Sequence, residues 1–98
     1  MIKKEEMIMI RKIKQFGGTH RTGSIQNATV ELISRKIGIK PSKVESGDGK
    51  VTRSWWFSVD GERFAIWDYK GSAKFGQFSF YGQRDVMMKI FGSENIDR

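Results

Sequence analysis

Cysteine is missing from this chain, and with it go disulfides, thiolate metal sites and cysteine nucleophiles. Stability must then come from packing, and the composition suits a reducing compartment, so the cytoplasm is the expected location. Histidine occurs once, at His20, with no paired acidic cluster at ligand spacing, so no metal site is expected. No apolar run approaches the roughly 20 residues of a membrane span. Met1 to Phe16 places Glu5, Glu6 and several lysines where a secretory signal needs unbroken apolar sequence. The expectation is a soluble, unprocessed chain with no membrane partner. The acidic residues fall mainly in turns (Asp48, Asp60), ladder positions (Glu62, Asp68) and helix starts (Asp85), and no nucleophile is paired with a base. No catalytic residue, no cofactor and no enzymatic activity are expected.

What the chain has in excess is positive charge. Its 98 residues, enough for one domain around a single core (1–98), carry a formal net charge of +7. Residues 1–22 hold six basic and two acidic side chains, whereas 82–98 hold three of each. Such an excess favours anionic partners: nucleic acid, nucleotides or an acidic protein surface. Solubility alone is the competing explanation.

The clearest local signal is Lys50 to Lys70, two strand-like runs joined by Asp60-Gly61, the dipeptide suited to the two positive-φ positions of a type I′ hairpin. A two-residue loop opposes Phe57 to Phe64, Trp55 to Ile66 and Arg53 to Asp68 on a core face. Ser58 then meets Arg63, Trp56 meets Ala65, Ser54 meets Trp67 and Thr52 meets Tyr69 on the other face. Phe75 to Gly82 reads as a third strand, with Phe78 and Phe80 toward the core and Tyr81 on the second face.

Around this sheet, residues 24–37 show helical spacing, with Ser24 as N-cap and Gly38 as a left-handed stop. Pro41 bars continuation. Residues 83–91 read as a second helix, with Val86, Met87, Ile90 and Phe91 inward and Gly92 as its stop. Residues 40–49 read as an irregular connector with a turn at Gly47-Asp48-Gly49, and 93–98 as a frayed polar tail. The N-terminal residues 1–16 carry strand alternation and helical spacing together, with a basic strand or arm preferred. The expected fold is α+β: a three-stranded antiparallel sheet with two helices on one face, α-β-β-β-α over 17–92, preceded by that basic segment.

Two patches could bind a ligand. The polar loop Gly17 to Ser24, placed before a helix, offers glycines, backbone amides and the donors Thr19, His20, Arg21, Thr22 and Ser24 to an anion. Gly18 and Gly23 have the spacing of a Walker A loop, but Ser24 and Ile25 stand where Lys and Ser or Thr belong, so triphosphate and magnesium handling is not implied. The competing reading is a capped turn. On the second sheet face, Trp56, Trp67 and Tyr69 could stack a base with Arg63 or Lys70 beside a phosphate. Burial under the N-terminal segment or against a second copy of the chain is the competing reading there.

The α-β-β-β-α order resembles the double-stranded-RNA-binding domain in topology, without that family's basic helix start at Gln83-Arg84-Asp85. A second resemblance covers Gly18 to Gly92. Gly47-Asp48-Gly49-Lys50, Trp56, Asp60-Gly61 and Phe64 to Lys70 look like a group of small bacteriophage-encoded proteins with a GDGK…W…DG…IYDYK pattern. Here Trp67 stands where the group has tyrosine, and Tyr81-Gly82 replaces its closing HIGG-like end. The resemblance implies a viral accessory role, including neutralisation of host defence, in the host cytoplasm. Together these readings lead to a non-enzymatic binder of a nucleotide-like anion, such as a host immune signalling nucleotide. The alternatives are an inhibitor of a host enzyme through protein contact, and a DNA- or RNA-binding accessory protein. A homo-oligomer is compatible with each.

Overall fold

The structure, a computed structural model, describes residues 9–45, 51–68 and 72–97. In chain order the elements are β1 (Ile10–Lys12), β2 (Gly23–Ile25), α1 (Val30–Ile37), β3 (Ser42–Glu45), β4 (Val51–Val59), β5 (Glu62–Trp67), β6 (Phe78–Tyr81), α2 (Arg84–Phe91) and β7 (Ile96–Asp97). The described residues form a seven-stranded antiparallel sheet in the order β1-β4-β5-β6-β2-β7, with β3 also on β4. The three-stranded sheet expected from sequence is therefore corrected. The class remains α+β, but four short strands join the predicted three.

The central hairpin has the register expected from its turn. Asp60 and Gly61 lie at φ 50° and 88°, and Trp55, Phe57 and Ser54 pair with Ile66, Phe64 and Trp67. Phe57 and Phe64 stack across the strands with centroids 5.6 Å apart and planes 13° apart. Both are fully buried, as are Trp55, Ile66, Phe78 and Phe80. Ile33 and Ile37 of α1 and Met87 and Phe91 of α2 complete the same core, so both helices cover this face. Trp55 keeps its indole N–H satisfied inside the core, where Nε1 donates to Ser34 Oγ at 3.2 Å.

Two glycines are required by ring packing. A Cβ on Gly82 would overlap the Phe64 ring, and Gly82 lies at φ +133°, a conformation that side chains rarely adopt. At Gly23 a Cβ would lie 2.9 Å from the Phe80 ring and 2.6 Å from the Asp97 carbonyl oxygen.

The first helix begins later than its apolar spacing suggests. Asn27 turns the chain at φ 54°, and Thr29 is the N-cap, its Oγ1 accepting from the Leu32 N–H at 3.0 Å. Residues 23–25 instead pair with β6, and Ile25 and Ala28 are buried without belonging to a helix. Gly38 ends α1 in the left-handed conformation, as expected, with its N–H donating to the Ser34 carbonyl. The connector after Pro41 contains β3, paired with Arg53 and its neighbours on β4. The Gly47-Asp48-Gly49 turn lies outside the described residues, as do residues 1–8. The tail is held: residues 93–95 make a 3-10 turn, and β7 pairs with β2 and buries Ile96. Arg53 and Asp68 meet through the Arg53 backbone: the Arg53 N–H donates to Asp68 Oδ1 at 2.9 Å, and the Asp68 N–H donates to the Arg53 carbonyl at 3.2 Å.

Candidate functional site

Strands β1 and β3 share one edge of β4, because β5 occupies the other. β1 lies against Phe57 to Val59, and β3 lies against Val51 to Ser54. Ile13 makes the last contact of the first segment, its N–H donating to the Trp56 carbonyl at 3.0 Å, before the chain leaves the edge. β3 starts only at Ser42, opposite Ser54. The break between them opens a cleft of about 670 Å³ whose polar lining is Lys12, Lys14, Gln15, Lys40 and Ser42, with Trp56 as its aromatic surface. Ile13 and Ile39 supply apolar wall. The Trp56 ring is fixed in orientation, since Nε1 donates to Ser54 Oγ at 3.0 Å. Three lysines thus line the cleft, and no Asp or Glu is among its described lining residues, which favours an anion with a planar, stackable part.

From this cleft the chain crosses the second face of the sheet. Residues 13–22 run from the β4 edge to β2, on the far side of β6, and Thr22 fastens the far end by donating its N–H to the Phe80 carbonyl at 2.8 Å. Register places Trp56, Ala65 and Tyr81 side by side on β4, β5 and β6. Ala65 is the small member of that row and is fully buried. Phe16 takes the space above it, edge-on to Trp56 with centroids 5.1 Å apart and to Tyr81 at 5.9 Å. The Arg63 guanidinium lies 4.8 Å from the Phe16 ring centre, and His20 packs edge-on to Tyr81 at 5.3 Å. The second face is therefore partly covered by the chain itself, in keeping with the competing sequence reading of burial under the N-terminal segment. A smaller groove of about 210 Å³ lies at the Tyr81 end, lined by Thr22, Glu62, Arg63, Tyr81, Gly82 and Gln83.

The residues predicted for a site divide accordingly. Trp56 lines the large cleft, Arg63 and Thr22 line the small groove, and His20 packs against Tyr81, which also lines that groove. Thr19 and Arg21 lie on the crossing segment, half-buried and exposed. Ser24 is not at a helix start: it sits buried in β2, where its Oγ accepts from Gln26 Nε2 at 2.9 Å. Since α1 begins six residues later, the loop 17–24 gains nothing from a helix dipole. Its Thr22 is already committed, the N–H to Phe80 and Oγ1 accepting from the Gly82 N–H at 3.3 Å. Trp67 is half-buried between Ser54 and Ser79, one row along from Ala65. Tyr69 and Lys70 lie outside the described residues.

Sequence reasoning points to Arg11, Lys12 and Lys14 on the basic N-terminal segment as residues that could track phosphates, but it does not join Gln15, Lys40 and Ser42 to them. The Lys12-Ile13-Lys14 alternation was a visible signal of a basic edge strand. Lys40 and Ser42 flank the chain's one proline and had no visible link to it, because only the shared β4 edge brings them together. Among the described residues no group of three or more His, Cys, Asp or Glu is placed to hold a metal ion, and no helix is long and apolar enough to cross a membrane. Comparison of the chain with protein-family models, with curated proteins and with solved structures finds no match.

Proposed function

We propose that this protein binds a nucleotide-like anion, without transforming it, in the cleft between β1 and β3. The observation that carries this reading is that Lys12, Lys14 and Lys40 line one cleft together with the half-buried Trp56. Ammonium groups suit phosphate oxygens, and an indole face suits a base, a pairing that phosphate-only or apolar ligands would leave half used. A cleft of about 670 Å³ falls within the range of small-molecule sites, roughly 300 to 1,000 Å³. Gln15 and Ser42 add neutral hydrogen-bonding groups that can orient sugar or base edges.

The test is a titration of intrinsic tryptophan fluorescence, checked by calorimetry, with nucleoside mono-, di- and triphosphates, cyclic nucleotides, unphosphorylated nucleosides and inorganic phosphate. Phosphorylated nucleosides should bind best and quench tryptophan. Lys12→Gln, Lys14→Gln and Lys40→Gln should each weaken binding about tenfold, the size of a lost charge-assisted hydrogen bond. Absence of binding by every nucleotide overturns the reading, as does binding that ignores all three lysine substitutions.

A further inference from the structure

Trp56 does not end at the cleft. It begins an unbroken line of rings, Trp56, Phe16, Tyr81 and His20, whose successive centroids are 5.1, 5.9 and 5.3 Å apart. The line leads from the three-lysine cleft to the small groove beside Tyr81, with the Arg63 guanidinium over its middle at Phe16. We infer that the ligand of this surface is single-stranded nucleic acid, laid across the second face with one end in the lysine cleft and the other in the Tyr81 groove. The inference rests on the proposed nucleotide reading and extends it from one nucleotide to several.

Two features favour a polymer over a lone nucleotide. Cationic groups occur at the Trp56 end and again at Arg63, so phosphates are provided for at separate points along one path. The three ring separations together span at most about 16 Å, some four to five steps at the 3.4 Å phosphate spacing of one strand of a duplex. Exposed bases can meet these rings in a single strand, whereas in a duplex the bases are already stacked on one another. Charge complementarity is strongest at the Trp56 end. At the other end Glu62 shares the groove with Arg63 and opposes a phosphate there.

The experiment compares mononucleotides with unlabelled single strands of two to ten nucleotides and with a duplex, read by tryptophan quenching and competition anisotropy. Affinity should rise by about tenfold or more between one and four nucleotides and then level off, and single strands should outcompete duplex at least tenfold. Arg63→Gln and His20→Ala change exposed side chains. Each should weaken a tetranucleotide several-fold while leaving a mononucleotide unchanged, and Glu62→Gln should tighten the tetranucleotide alone. If mononucleotides bind but added length, Arg63→Gln and His20→Ala change nothing, the inference fails and the cleft reading stands. Equal affinity for duplex also overturns it. If no nucleotide of any length binds, both fail together.

Discussion

Removing Phe16 tests whether the crossing segment is a working part of the fold. Between the contacts of Ile13 and Thr22, the ring of Phe16 is the anchor that seats residues 13–22 on the sheet, against Trp56, Tyr81 and Arg63. Truncating a fully buried phenylalanine to alanine costs about 3 to 5 kcal/mol. Phe16 is half-buried, which scales that to about 2 to 3 kcal/mol for Phe16→Ala, the loss of its two edge-on ring pairs included. At about 4 to 8 °C per kcal/mol for a domain of this size, the melting temperature should fall by about 10 to 20 °C.

Thermal unfolding followed by circular dichroism and tryptophan emission would measure this. A second substitution separates packing on Ala65 from any general loss. Ala65→Leu adds bulk beneath the Phe16 ring and should cost about 1 to 3 kcal/mol. In the Phe16→Ala background the leucine occupies vacated space, so its cost should vanish or reverse, a coupling of about 1 kcal/mol or more. A melting temperature for Phe16→Ala within about 2 °C of the parent, or strict additivity of the two changes, would refute the placement of this segment.

Gly82→Ala should destabilise by about 3 kcal/mol or more, since it combines backbone strain at φ +133° with overlap on Phe64; chemical denaturation checks it, and a loss under about 1 kcal/mol would contradict the close ring approach. Ile96→Ala should cost about 2 to 4 kcal/mol, because Ile96 is buried in β7 opposite Ile25. Removing residues 93–98 should do at least as much, and an unchanged denaturation midpoint in both variants would show that the tail is not docked.

The parts of the fold legible in the sequence are those written locally. Asp60-Gly61 has the chemistry of a type I′ turn, and period-two alternation on both sides leaves one register that buries Phe57, Phe64, Trp55 and Ile66 together. Phe78 and Phe80, the α2 stripe and the Gly38 stop are of the same kind, each a pattern complete within about ten residues. Tertiary structure alone decided the rest. β2, β3 and β7 are two to four residues long, too short to carry a period, and they exist because a partner strand satisfies their backbone groups; β1 lies in the basic segment whose strand alternation was legible, but its partner β4 was not. Thr22 and Gly82 are joined by a hydrogen bond across sixty residues of sequence. The candidate site belongs to this second class. Trp56 was visible as an aromatic on the outer face, but Lys40 lines one cleft with Lys12 and Lys14 only because two separate segments share one edge of β4 and leave a break between them.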